Sequence, residues 1–99
     1  EEAIKCYDTA IKLIPNYFEA WYDKGAALHE LKRFEEAAEC FDKAIQMNPR
    51  DADVWYSKGA ALAELGKFQE ALECYNETLR IDPSYEDAAD AKKKLLGKV

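Results

Sequence analysis

Residues Trp21 to Leu31 read WYDKGAALHEL, and residues Trp55 to Leu65 read WYSKGAALAEL. Trp, Gly and both Leu recur, whereas Asp23 becomes Ser57 and His29 becomes Ala63. The offset between the copies is 34 residues, and it governs much more of the chain. Pro15, Pro49 and Pro83 keep it, as do Cys6, Cys40 and Cys74, Gly25 and Gly59, Leu28 and Leu62, Phe34 and Phe68, and Ala37 and Ala71. Laid over Arg50 to Pro83 without a gap, Asn16 to Pro49 matches at 15 of 34 positions. Self-similarity at a fixed period is the mark of a repeat architecture, and the other residues take their meaning from their place in it.

Within each unit the apolar residues fall at helical spacing. Trp21, Gly25, Leu28 and Leu31 step by four and three, and after Lys32 and Arg33 the series Phe34, Ala37, Phe41, Ala44, Ile45 does the same. Trp55, Gly59, Leu62 and Leu65, then Phe68, Ala71, Tyr75 and Leu79, repeat it. Pro49 and Pro83 close the units, because proline cannot continue a helix and biases the residue before it away from helical geometry. Each unit is therefore expected to be a helix pair with a tight turn between its helices. Gly66 suits the left-handed residue that ends a helix, while Lys32 stands at the same place in the first unit and implies strain or a different closure. A single pair buries too little apolar surface, so it must stack on the next, and stacking residues then recur at the repeat period. Trp and Leu fill the space between helices, and Gly with Ala37 and Ala71 lets helix axes approach.

The Trp, Gly, Ala, aromatic, Ala, Pro pattern at Trp21, Gly25, Leu28, Ala37, Phe41, Ala44 and Pro49, and again at Trp55, Gly59, Leu62, Ala71, Tyr75 and Pro83, resembles the tetratricopeptide repeat family. The resemblance covers the whole chain and implies an all-α, right-handed α-solenoid of antiparallel helix-turn-helix units. It departs from the family pattern at Lys24 and Lys58, at Leu28 and Leu62, and at Thr78, where Leu, Tyr and Ala are usual. Lys at the first of these is expected to lay its aliphatic stem over the packing surface with its ammonium in water. The division that follows is residues 1–15 as the second helix of a truncated repeat, 16–49 and 50–83 as repeats, and 84–99 as a capping helix. Glu1 to Pro15 shares eight of fifteen residues with Glu35 to Pro49. Ser84 and Asp87 suggest a capping box, after which Ala89 replaces Trp, Lys93 replaces Gly and the face becomes charged, as at the solvated end of a solenoid. The chain starts at EEAIKCYDTAIKLIP without an initiator Met, which reads as a piece of a longer protein with further repeats before it.

Composition narrows the function. Twenty acidic residues against 14 basic give a formal charge of −6, which argues against a nucleic-acid surface, since neutralising phosphates takes clustered Lys and Arg. The basic tail AKKKLLGK reads as a solvated helix end that complements the helix dipole. No apolar run approaches a membrane span and no signal-peptide layout is present, so no membrane partner is expected. Three cysteines cannot form a complete set of disulfides, and equivalent positions one repeat apart lie about 10 Å or more from each other, beyond disulfide reach. They read as buried or half-buried thiols of a reducing, cytoplasmic compartment. The lone His29 reads as an exposed helical residue. No nucleophile and base set, glycine-rich phosphate loop, metal cluster or cofactor motif emerges, so the chain is not expected to be an enzyme or to carry a cofactor.

What the resemblance implies about function is a groove. In the family the first helix of each repeat lines a concave face that takes peptide segments of partner proteins. Carried over, the groove residues are Glu19, Tyr22, Asp23, Ala26, His29 and Glu30, then Asp53, Tyr56, Ser57, Ala60, Ala63 and Glu64, with Asp87, Asp90, Ala91 and Lys94 from the cap. A subset of the family grips acidic C-terminal tails with Lys, Arg and Asn, but Tyr22, Ala26, Ser57, Asp87 and Ala91 occupy those places here. The expected function is a non-catalytic interaction scaffold that favours basic or apolar-basic segments. Tyr22 and Tyr56 would anchor the segment, and Glu19, Asp23, Asp53 and Glu64 would form a charged rim. The alternative is a structural spacer, or a module that associates head to tail through its terminal helices. In that reading Ala3, Tyr7, Ala10 and Ile11 of the first helix meet the far end of another copy.

Overall fold

A computed structural model describes residues 2–97 of the protein. Glu1 and residues 98–99, parts of the expected first and last units, lie outside the described residues. Six helices follow one another: α1 (Glu2–Leu13), α2 (Phe18–Glu30), α3 (Phe34–Met47), α4 (Ala52–Glu64), α5 (Phe68–Ile81) and α6 (Glu86–Leu96). Each packs on its chain neighbours, and the stack is elongated, 42 × 25 × 17 Å. The result is an all-α solenoid. α2 reaches α4 directly, whereas α3 and α5 do not meet to the same degree, and α4 meets the entry of α6 through Asp53 and Tyr85 and shares a cavity with it, so the α2, α4 and α6 side is the inside of the curve.

The two tight turns share one device. Lys32 and Gly66 both take the left-handed conformation, at φ 63° and 79°. The amides of Arg33 and Lys67 then reach back to the carbonyls of Leu28 and Leu62, each at 2.9 Å, and close a Schellman-type end. The strain expected at Lys32 is thus real, since a side chain in this region costs about 1–2 kcal/mol. Part of that gain is returned through the greater freedom of glycine in the unfolded chain. Lys32→Gly is accordingly expected to stabilise the protein by about 1 kcal/mol, seen as a higher urea midpoint at unchanged slope; a lower midpoint would refute it. The turns also expel Leu31 and Leu65, read from spacing as stacking residues: each is the helix-capping position and lies exposed.

The recurring Trp has a polar reason as well as an apolar one. Trp21 Nε1 donates to the Pro15 carbonyl at 3.0 Å, and Trp55 Nε1 to that of Pro49 at 2.8 Å. Each indole therefore ties the first helix of a unit to the end of the unit before it, satisfying a carbonyl at a helix end. Behind Trp, Lys24 Nζ lies 2.6 Å from Asp8 and Lys58 Nζ 2.6 Å from Asp42, with each ammonium just under 6 Å from the indole centroid (5.7 and 5.8 Å). These lysines do cover the packing surface, but their ammonium groups sit on carboxylates of the preceding helix rather than standing free in water.

Gly25 and Gly59 are where second helices press closest. A Cβ on Gly25 would meet the Phe41 ring at 2.6 Å, and one on Gly59 the Tyr75 ring at 2.7 Å. Ala37, Ala44 and Ala71 are fully buried alongside Phe41 and Leu28. Thr78, where Ala is usual, is also fully buried, and its hydroxyl donates to the Cys74 carbonyl at 2.8 Å, leaving no unsatisfied polar group. Cys40 and Cys74 are buried and free, as expected, but Cys6 is exposed because it stands on α1, one face of which is uncovered.

The capping box expected at Ser84 and Asp87 does not form. Asp82 Oδ1 accepts both the amide and the hydroxyl of Ser84, at 3.1 and 2.7 Å, in an Asx-type turn that occupies Ser84 before the helix begins. Tyr85 takes the N-cap backbone position without a side-chain cap, and α6 starts at Glu86.

Candidate functional site

The inner face is built from α2, α4 and α6, whose helical spacing sends every third or fourth side chain to the same side. Of the residues expected there, Tyr22, His29, Tyr56, Ser57, Ala60, Ala63 and Ala91 are half-buried, and Glu19, Asp23, Ala26, Glu30, Asp53, Glu64, Asp87, Asp90 and Lys94 are exposed. Ala26, His29, Glu30, Tyr56, Ser57 and Ala60 are brought together around one dimple of about 280 Å³, whose remaining wall is Phe41. One repeat further on, a second dimple of about 220 Å³ is walled by Ala63, Glu64, Phe68, Tyr75, Ala91, Lys94 and Leu95. Glu19 and Asp23 enter neither dimple. His29 is not the free surface residue expected: its ring meets the edge of Phe34 at 5.0 Å, which holds it half-buried against the dimple.

Between the dimples the aromatic side chains interlock. Tyr22 stacks on Phe18 at 6.3 Å and leans on Phe41 at 5.7 Å, while its hydroxyl lies 3.4 Å from Ser57 Oγ, joining α2 to α4. Tyr56 is held between Tyr75 at 5.8 Å and Tyr85 at 5.3 Å. Tyr85 donates its hydroxyl to Asp53 Oδ1 at 2.5 Å, linking the entry of α6 to the first turn of α4. Burial pushes the Tyr56 phenol upward, with the nearby Asp87 carboxylate adding to it, and pushes Tyr75 up to about 12. Tyr85 is raised by burial and then by its bond to Asp53. At neutral pH this face therefore offers neutral phenols as hydrogen-bonding groups beside carboxylates.

Tyr85 and Phe41, with Phe68, Tyr75 and Leu95 of the second dimple, are face residues that spacing missed. Tyr85 sits at the foot of α6, where Asp51 stands one repeat earlier, so the period gave it no aromatic counterpart in the adjacent unit. Phe41 reads as pure core, and it is fully buried, yet its ring also walls the first dimple.

The outer side differs in kind. A cavity there of about 240 Å³ is bordered by Glu35, Asp42, Lys58 and Lys67, whose charges pair within it: Lys58 with Asp42 at 2.6 Å and Lys67 with Glu35 at 3.5 Å. Among the described residues no group of three or more His, Cys, Asp or Glu is placed to hold a metal ion, and no helix is long and apolar enough to cross a membrane.

Models of the tetratricopeptide repeat match residues 1–54 and residues 33–86. The chain belongs to the tetratricopeptide repeat family. Solved structures superimpose closely on it. The first tetratricopeptide domain of Spaghetti (RPAP3), bound to the HSP90 peptide SRMEEVD, gives a TM-score of 0.93 at 24% identity, covering 96% of this chain and 75% of that one. The domain of Arabidopsis OM64 gives 0.92 at 26% identity, over 97% of this chain and 79% of that one. A double mutant of MamA gives 0.92 at 24% identity over 96% of this chain, which spans only 53% of the MamA chain. No curated protein sequence matches the chain. Tyr22 and Tyr56 stand on the first helices of their units, the two dimples are walled by first and second helices together, and Lys24 and Lys58 pair with acids of the preceding second helix.

Proposed function

We propose that this tetratricopeptide repeat protein is a non-catalytic interaction scaffold whose inner face binds an extended segment of a partner protein, favouring basic or apolar-basic segments over acidic ones. The observation that carries the reading is the combination on one face of half-buried tyrosines and two apolar-walled dimples with exposed carboxylates at Glu19, Asp23, Glu30, Asp53, Glu64 and Asp87. Rigid aromatics supply contact area at low entropic cost, and like-signed carboxylates around them attract cationic chains and repel anionic ones. A similar fold in RPAP3 is seen with an acidic HSP90 peptide. Tyr22, Ala26, Ser57, Asp87 and Ala91 at the clamp places of this chain provide no cation for such a tail.

Head-to-tail association is the weaker reading. Lys93 on α6 stands where α2 and α4 carry Gly25 and Gly59, positions at which even a methyl group would run into the aromatic ring of the packed second helix. A copy of α1, with Tyr7 at the position equivalent to Phe41, could not seat on α6 in the geometry used inside the molecule.

The test is fluorescence anisotropy with two labelled peptides of equal length, one alternating Lys with Leu and the other Glu with Leu, at low and high salt. The basic peptide is expected to bind more tightly at low salt, and the Tyr22→Ala, Tyr56→Ala double variant to bind it at least about tenfold more weakly while keeping its helical circular dichroism. Equal binding of both peptides, or an affinity indifferent to the double substitution in a folded variant, would refute the proposal.

A further inference from the structure

The two dimples are repeat equivalents, and their differences are informative. Glu30 corresponds to Glu64 and Phe41 to Tyr75 by the 34-residue offset, so both have an aromatic floor and a carboxylate on the rim. At the place of Ala60, however, the second dimple has Lys94, and at that of His29 it has Ala63. Among the residues lining the first dimple Glu30 is the one carboxylate and no Lys or Arg stands with it, while Glu64 and Lys94 together leave the second with no net charge from its acids and lysines. A carboxylate over aromatic and methyl walls matches a long cationic side chain, whose methylenes cover the walls while its head reaches the acid. A dimple that already contains its own ammonium gains nothing from a second cation and loses least to an uncharged side chain.

We propose that the first dimple takes the side chain of a lysine or arginine of the bound segment and the second an uncharged apolar side chain, so that Glu30 and Lys94 together set the register of the ligand. The α2 and α4 helices touch, so their equivalent sites are separated by about 10 Å, or roughly three residues of extended chain. The ligand class is thus a segment with a basic residue and an apolar residue about three positions apart. The inference rests on the peptide-binding reading above and assigns the charge preference of that face to one of its two cavities.

The test is selection from a positional-scanning library of acetylated, amidated heptapeptides on the immobilised protein. Glu30 and Lys94 are exposed, so Glu30→Gln and Lys94→Ala leave the core untouched. The wild type is expected to enrich Lys or Arg at one position and an apolar residue about three away, with Glu30→Gln lowering the basic enrichment roughly tenfold and sparing the apolar one. Lys94→Ala is expected to add a second basic position in place of the apolar one. Basic enrichment that survives Glu30→Gln, or a second site unmoved by Lys94→Ala, overturns the assignment while leaving peptide binding intact. Retention of no peptide by the wild type overturns the binding reading itself, and the assignment with it.

Discussion

Replacing Phe41 with alanine is expected to cost about 3–5 kcal/mol, a large share of the roughly 5–15 kcal/mol that holds a domain this size. The ring is fully buried, touches Tyr22 at 5.7 Å and fills the space that Gly25 leaves open between α2 and α3. Its removal forfeits burial and leaves a cavity that a solenoid with helices locked on both sides cannot close. The companion substitution tests the same contact from the other side. Gly25→Ala should gain about 1 kcal/mol of helix propensity yet lose more to overpacking, because the obstructing atoms belong to a stiff ring with nowhere to go. In the Phe41→Ala background the penalty should vanish and leave the propensity gain. Urea unfolding of the four chains reads the coupling directly. A Phe41→Ala loss below about 1 kcal/mol, or additivity of the two changes, would show that this contact does not govern the α2–α3 joint.

The second large effect is a loss of stability in alkali through the repeated cysteines. Burial pushes the thiols of Cys40 and Cys74 from the ordinary 9 up to about 11 each, because a thiolate there would be taken out of water. The folded pKa is raised, and the protonated form is the one the fold accepts. The stabilisation is therefore fully present below about pH 9 and is lost as pH rises towards 11, since the unfolded chain releases its protons first. A rise from 9 to about 11 at each thiol corresponds to about 2–3 kcal/mol apiece. Over this window the wild type should lose several kcal/mol more than a Cys40→Ala, Cys74→Ala variant, as measured by urea unfolding at successive pH values. Parallel curves would mean that water reaches both thiols. In the folded protein at neutral pH, only exposed Cys6 should be alkylated at an appreciable rate.

Much of the architecture was legible because stacking is periodic. Trp21 with Trp55, Gly25 with Gly59, and Cys40 with Cys74 recur since each meets the same neighbour one unit on, and a solenoid repeats its contacts as faithfully as its letters. The errors arose where a residue's role depended on a partner outside that register. Leu31 and Leu65 obey the helical spacing but follow the turn outward. Ser84 carries the letters of a cap but is taken by Asp82, two residues before it. His29 looked free until Phe34, across the turn, covered its ring. The ion pairs of Lys24 and Lys58 could have been found, because Asp8 and Asp42 share their offset, yet only the packing of α2 on α1 and of α4 on α3 shows that each carboxylate lies within reach.

The sequence by itself determined the helix pairs, their period and the turns at Lys32 and Gly66, because these follow from local propensity and from a contact pattern that repeats along one dimension, while the expectation of which helices face inward came with the family resemblance. Only the tertiary structure decided how the inner face is divided. Two cavities with the same aromatic floor differ in charge because Lys94 of α6 comes to rest opposite Glu64 of α4, and Tyr85 is drawn into the face by Asp53. Such pairings join residues roughly thirty positions apart whose side chains meet only when one unit stacks on the next, and no single-helix pattern encodes that meeting.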